Sequence, residues 1–213
     1  SQGRVSLHNR PVVVFSFAVN YAMGGLNPLP YHLTNLAIHV LAGLTLFGIA
    51  RRTFCLPSLR DRYAGVATPL AFVIAAMWAL HPLATQAVTY IVQRYESMMG
   101  LFYLLSLYCV IRGDSSRRPG WWAAGAAAAC ALSMACKEVA VSFPLVILLY
   151  DRAFLAGSFR AAWQRRWRLY LILAAAWGAM IVYWMLAGGR GHWAGFGLPT
   201  TPRTTSGWVV GLR

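Results

Sequence analysis

The sequence predicts an all-α, polytopic membrane fold, with about six transmembrane helices plus an interfacial helix. Three observations carry this. First, 59% of the 213 residues are hydrophobic and only 11% are charged, against roughly 25% charged in a soluble domain. Too few charges exist to coat a soluble core of this size. Second, apolar runs recur along the chain, which has a mean hydropathy of +0.54. Third, the arginines gather in short clusters between those runs, the pattern of membrane loops. The net charge of +14 would otherwise point to nucleic acid, since basic patches track phosphates. The clustering, with Lys137 as the single lysine, argues against a nucleic-acid partner. Cys55, Cys109, Cys130 and Cys136 lie in or beside apolar runs without zinc-like spacing. They read as small buried hydrophobes, and no metal site is expected.

Ser1–Arg10 is polar and reads as the end of an exterior loop. No signal peptide precedes the first span, and the chain reads as an internal fragment of a longer protein. Pro11–Met23 is apolar but short, and Gly24-Gly25 and Asn27-Pro28-Leu29-Pro30 break it. About 13 residues reach only about 20 Å, less than a hydrocarbon core of about 30 Å, so an interfacial helix is expected. Residues 1–32 are thus exterior loop and interfacial helix, 33–187 the transmembrane helices of a partial membrane domain, and 188–213 an exterior loop. Within the middle region the spans are Leu33–Ala50, Ala64–Leu80, Met98–Ile111, Trp121–Cys136, Val139–Tyr150 and Leu169–Ala187. Pro82–Ser97 reads as an amphipathic connection.

Orientation follows from the arginines. Arg51, Arg52, Arg60 and Arg62 fill one connection, Arg112, Arg117 and Arg118 another, and Arg152, Arg160, Arg165, Arg166 and Arg168 a third. The intervening connections carry only Arg94 and Lys137. The dense connections are expected to be cytoplasmic. Arginines of the inside type at both ends of Trp121–Tyr150 require an even number of crossings. This segment is therefore a hairpin with Lys137-Glu138 at its exterior tip. Gly125 and Ala126–Ala129 would let neighbouring helices pack closely. Met98–Ile111 and Val139–Tyr150 reach only about 21 and 18 Å as helix. Their polar outer ends, with Arg94, Glu96, Lys137 and Glu138, are expected to dip to membrane depth, where ionisable groups are functional candidates.

Three constellations stand out. His81-Pro82 with Gln86, Tyr90, Gln93, Arg94 and Glu96 forms the first. Gln86, Tyr90 and Gln93 recur at i, i+4 and i+7 and would share one helical face. They read equally as the polar wall of a substrate cavity or as a solvated face on which Arg94 and Glu96 neutralise each other. Lys137-Glu138 is the second. A lone lysine at an exterior tip suits a phosphate, although a helix-end lysine also snorkels to an interface. His32, Asn35 and His39 are the third. His32 and His39 would stand about 10.5 Å apart along a helix axis, so packing or interhelical hydrogen bonds are expected rather than a metal site.

Arg10-Pro11-Val12-Val13-Val14-Phe15-Ser16-Phe17 with Asn20-Tyr21, Gly25-Leu26-Asn27-Pro28 and His32-Leu33-Thr34-Asn35 with His39 form an ordered set. Ala79-Leu80-His81-Pro82 with Thr85-Gln86-Ala87-Val88 and Gln93-Arg94 continues it, then Cys136-Lys137-Glu138, Pro144-Leu145 and Leu149-Tyr150-Asp151. This set, from Arg10 to Asp151, resembles the polytopic GT-C-type glycosyltransferases related to protein O-mannosyltransferases. In particular it resembles a bacterial form of the transmembrane branch that carries C-terminal tetratricopeptide repeats.

The resemblance implies an enzyme that takes a sugar, such as mannose, from a polyprenyl phosphate. The acceptor would be a hydroxyl, on protein in this branch, at the exterior face. Membrane lipid and the lipid-linked sugar are the implied partners, with no cofactor beyond the donor. Arg94 and Lys137 are the expected phosphate-binding cations, since charge develops on the leaving phosphate. His81, Gln86, Gln93, Glu96, Glu138 and Arg10 are expected around the sugar and the cavity. The family places its key acidic residue upstream of the Arg-Pro motif, whereas no Asp or Glu precedes Asp61 here. The base is therefore expected upstream of Ser1. Glu96 and Glu138 each sit beside a cation and are not assigned as the base. The fragment alone is expected to be inactive. Richness in arginine and alanine fits a bacterium with GC-rich codons, and so an inner membrane whose site faces the periplasm or exterior. A transporter or flippase segment, or a non-catalytic membrane scaffold, are the alternative readings.

Overall fold

The computed structural model describes residues 10–186, and every regular element among them is helical. The expected loops at 1–9 and 188–213 lie outside the described residues, as does Ala187 at the end of the last expected span. Helix α1 is Pro11–Gly24. Pro11 stands in its first turn, where a missing N–H costs nothing. Gly25 closes it at φ 58°, a backbone setting that favours glycine.

Helix α2, Pro28–Phe54, begins five residues before the expected span. Asn27 Oδ1 accepts a hydrogen bond from Leu29 N at 3.0 Å. Pro28 and Pro30 fall in the first turn, whose N–H groups have no intrahelical acceptor, so neither proline breaks the helix. At its other end α2 runs past Arg51 and Arg52, which sit in the last turn, where cations are favoured.

Helix α3 is Arg60–Ala79, with a 3-10 turn at Ala64–Val66. Beyond it, the expected amphipathic helix over Pro82–Ser97 is not formed. The chain makes a 3-10 turn at Pro82–Ala84, a short helix α4 at Thr85–Thr89, and a second 3-10 turn at Ile91–Gln93. Tyr90 between the last two is extended, with φ −97° and ψ 114°. Gln86, Tyr90 and Gln93 therefore do not share one helical face. The run Val88-Thr89 and Ile91-Val92 is β-branched, which lowers helix propensity on both sides of Tyr90.

Helix α5, Arg94–Asp114, is 21 residues long, about 31 Å. Helix α6 is Pro119–Cys136. Helix α7, Phe143–Tyr150, is extended by a 3-10 turn at Glu138–Ser142 and a π-helical turn at Asp151–Ala156. The rods around Met98–Ile111 and Val139–Tyr150 are thus longer than their apolar runs, and the length argument for lowering their outer ends does not hold. Helix α8 is Phe159–Leu186, with non-helical backbone at Arg166. Ser158 starts it, its Oγ accepting from Ala161 N at 3.2 Å. Arg160, Arg165, Arg166 and Arg168, expected in a loop, are on this helix.

Pro28–Phe54, Arg60–Ala79 and Val139–Ala156 are long and apolar enough to cross a membrane, and the chain is an integral membrane protein. Large apolar side chains such as Leu36, Leu44, Phe72 and Met77 point outward, as lipid-facing residues do. The small side chains of Ala126, Ala129 and Ser133 are buried instead. Side-chain contacts show that the rods alternate in direction. Arg51 Nε donates to Thr68 Oγ1 at 3.2 Å and His39 Nε2 to Ala79 O at 3.0 Å, so α3 runs back along α2. Ser106 Oγ donates to Ala126 O at 2.6 Å and Ser133 Oγ to Met99 O at 2.9 Å, so α6 runs back along α5.

Lys137 is extended, at φ −158° and ψ 142°, and ends α6. The chain then returns. Phe143 packs edge-on against Tyr103, and Tyr150 shares a 2.6 Å hydrogen bond with Thr53 at the far end of α2. The hairpin turning at Lys137 is therefore present. One end of the bundle gathers the arginine clusters, with Arg166 bonded to both Asp114 and Asp151. The other gathers His39, Arg94, Glu96 and Lys137.

Gly48 sets the approach of α5 to α2. A Cβ there would meet the Tyr108 ring at 2.8 Å, and that ring is held by Arg52, 4.6 Å from its centroid. Gly48→Ala is expected to destabilise the chain by about 1–3 kcal/mol. A thermal melt in detergent checks this, and an unchanged midpoint contradicts it.

Candidate functional site

The end of the bundle opposite the arginine clusters contains two adjoining assemblies on consecutive residues of α5. Arg94 points to one side, Tyr95 and Glu96 to the other.

Arg94 is fully buried. Its Nε donates to Asn35 Oδ1 at 2.7 Å, its Nη2 to Tyr31 O at 2.9 Å, and its Nη1 to Asn20 Oδ1 and, at 3.4 Å, to Ser16 O. The guanidinium also lies over the Phe17 ring, 4.5 Å from its centroid. Asn20 and Asn35 are themselves fixed. Asn20 Nδ2 donates to Thr34 Oγ1 at 2.9 Å, and Asn35 Nδ2 to Tyr90 O at 3.3 Å. Arg94 thus ties α1, the start of α2 and α5 into one unit. No carboxylate among the described residues pairs with it. Its charge is met by carbonyl dipoles, amide oxygens and ring faces. The sequence expectation that Arg94 meets a ligand phosphate directly does not fit this burial, because every guanidinium nitrogen is already donated to protein.

The second assembly centres on Tyr95 and Glu96. Lys137 forms an ion pair with Glu96, with side chains 23% and 38% exposed. Glu96 therefore pairs with Lys137, not with Arg94 as the solvated-face reading had it, and Lys137 stays reachable. Lys137 Nζ is also 5.4 Å from the Tyr95 ring centroid, and the Arg10 guanidinium is 4.5 Å from the same ring. Two cations therefore gather on one aromatic ring, a favourable arrangement when partly desolvated.

A cavity of about 320 Å³ adjoins this group. Glu96, Ser97, His39, Trp78 and His81 line it, with Leu83, Ala84 and Ala87 from the connection after α3. His81 Nδ1 accepts from Leu83 N at 3.2 Å. In the neutral ring this leaves Nε2 as an N–H donor. His39 stacks on Trp78 with centroids 5.1 Å apart. The cavity so combines an aromatic wall, an imidazole and the carboxylate end of an ion pair, a combination suited to a polar ligand with a flat apolar face.

Of the residues expected at the site, Arg10, Glu96 and Lys137 come together around Tyr95, and His81 shares the cavity with Glu96. Gln93 lies just before Arg94. Its Oε1 is buried and has no hydrogen-bond partner among the described residues, an open acceptor of the kind that marks functional positions. Gln86 is exposed on α4 and does not line the cavity. The Glu138 side chain lies outside the described residues. His32, Asn35 and His39 each make an interhelical hydrogen bond, His32 Nδ1 to Val88 O at 3.2 Å, Asn35 with Arg94 and His39 with Ala79 O, as expected for them. Asn20, Tyr95, Trp78 and Ser97 were not read as site residues. For Asn20 the signal was available, since an amide in an apolar helix needs a partner. Tyr95 and Trp78 carry no pattern that separates them from interfacial aromatics.

No family model and no solved structure matches the chain. Curated proteins do. The chain is 35% identical over 199 residues to "Protein O-mannosyl-transferase TMTC2" of Homo sapiens, covering 87% of this chain and 22% of that protein. It is 31% identical over 157 residues to "Protein O-mannosyl-transferase Tmtc3" of Drosophila melanogaster, covering 67% and 17%. It is 26% identical over 153 residues to "Protein O-mannosyl-transferase TMTC3" of Homo sapiens, covering 71% and 15%. The chain thus spans about a fifth of the length of the curated relatives it matches.

Proposed function

Because the chain is related to the TMTC branch of protein O-mannosyl-transferases, we propose that it forms part of the membrane portion of a glycosyltransferase. The enzyme moves mannose from a polyprenyl-phosphate donor to a hydroxyl on a protein acceptor. Transfer takes place at the end of the bundle away from the arginine clusters. With those clusters facing the cytoplasm, that end faces the exterior, in the periplasm if the membrane is a bacterial inner membrane. The wider protein then has a GT-C-like membrane domain and C-terminal tetratricopeptide repeats.

The observation that best supports this reading is the Lys137–Glu96 pair beside the cavity. In the reaction the acceptor oxygen forms a bond to the sugar C1, and the bond from C1 to the phosphate oxygen breaks. The electron pair stays on the phosphate, and the hydroxyl proton passes to a base outside this chain. Lys137 stands where a partly exposed ammonium can exchange its bond to Glu96 for the phosphate and meet the charge that develops there. Arg10, also at the Tyr95 ring, adds to the positive field. Arg94 is a positioning residue. It holds α1 and α5 together, and with them Arg10, Tyr95 and Glu96. His81 Nε2 serves the sugar hydroxyls, and Trp78 with His39 offers an apolar face to a sugar ring.

Membranes containing the full-length protein are expected to transfer labelled mannose from polyprenyl-phosphate mannose to protein. No transfer from this donor or from any of a panel of other lipid-linked sugars overturns the reading. His81→Ala is expected to raise the donor KM about tenfold, the cost of about one hydrogen bond to a charged or hydroxyl group, while kcat changes little. Steady-state kinetics on those membranes check it, and an unchanged KM removes His81 from the donor site.

A further inference from the structure

A second cavity, of about 490 Å³, lies at the arginine end of the bundle between α5, α6 and α8. Arg165, Arg166 and Arg168 line it with Asp114, and Leu169 and Ile172 continue its wall along α8. Arg166 is held by two carboxylates, Asp114 and the fully buried Asp151, and Tyr170 donates to Asp151. This cluster fixes the start of α8 against α5. Arg165 and Arg168 are different. Both are exposed, and no carboxylate among the described residues pairs with either. Arg168 lies over the Trp167 ring, 5.4 Å from its centroid. On the α6 side the mouth is open, since a Cβ added at Gly120 would meet nothing within 4 Å. The groove therefore presents two exposed guanidinium groups without a carboxylate partner among the described residues at its outer end, and aliphatic side chains further along the helix axis.

We propose that this groove binds an anionic glycerophospholipid of the surrounding bilayer. Its phosphate lies between Arg165 and Arg168 and its acyl chains lie along Leu169 and Ile172. The charge at the end of the rods stands at headgroup depth, where basic residues attract anionic lipid, and guanidinium forks match phosphate oxygens. The apolar wall distinguishes a lipid from free phosphate, which would have no use for it. The site is at the opposite end from the Lys137 group and does not depend on the glycosyltransferase reading.

Native mass spectrometry of the full-length protein, released from micelles holding equimolar phosphatidylglycerol and phosphatidylcholine, tests the proposal. The wild type is expected to retain phosphatidylglycerol preferentially. R165A/R168A is expected to lose that preference by about tenfold, and R165K/R168K to keep most of it, which separates a lost site from a lost fold. R60A/R62A removes the same charge from another arginine cluster and is expected to keep the preference. Inorganic phosphate in large excess should leave it unchanged. Equal retention of the two lipids by the wild type, an equal loss in R60A/R62A, or displacement by inorganic phosphate alone would each overturn the proposal.

Discussion

On the proposed function, Lys137→Ala in the full-length protein is expected to lower mannose transfer by about 10²–10³-fold, the usual cost of removing one group that meets charge developing in a transition state. Lys137 pairs with Glu96, lies near the Tyr95 ring and remains partly exposed. Unlike the fully buried Arg94, it can be reached by a ligand without opening the bundle. Its loss also leaves Glu96 beside the cavity without its counter-ion, which repels a phosphate. Glu96→Gln distinguishes the two effects. If the ammonium acts on the donor, Glu96→Gln keeps much of the activity while Lys137→Ala does not. Rates from membranes with matched protein levels check this, and equal losses in the two variants would assign the pair a structural role only.

Arg94→Ala is expected to act on stability. The substitution strands the side-chain oxygens of Asn20 and Asn35, which accept from Arg94, and removes its bonds to the Tyr31 and Ser16 carbonyls. Leaving buried acceptors unmatched and opening a cavity of guanidinium size costs about 3–5 kcal/mol. The loss falls on the junction of α1 with α2 and α5. Limited proteolysis should therefore cut near Gly25 in the variant before the rest of the bundle melts. Arg94→Lys keeps the charge but not the fork, and is expected to recover only part of the stability. A variant as stable as the wild type, with α1 still protected, would contradict the anchoring role.

The helical membrane class, the turn at Lys137 and the gathering of arginines at one end were legible in the sequence, because each depends on composition or on a break in an apolar run. Helix bounds were less so. Pro28 and Pro30 read as a break, yet they open α2, since proline in a first turn and proline in a helix interior obey opposite rules. The β-branched stretch around Tyr90 interrupts a pattern whose spacing alone favoured one continuous helix. At the site, Lys137 was legible as a lone lysine at a polar tip. Its pairing with Glu96, and the turning of Arg94 into α1 and α2, were not. Three consecutive residues of α5 point to different neighbours, and which neighbours those are depends on helices far apart in the chain. Asn20 and Asn35 could have signalled this, because amides in apolar helices require hydrogen-bond partners, and the guanidinium of Arg94 supplies a donor to both.

On the proposed function, the Lys137 group holds the donor's phosphate. The most direct measurement is the affinity of purified full-length protein for polyprenyl phosphate without its sugar, compared between wild type and Lys137→Ala. A loss of tenfold or more, about 1.4 kcal/mol, with the fold intact by thermal melt, is the predicted result. Equal affinity of the two proteins would contradict the claim and move the phosphate to another part of the membrane domain.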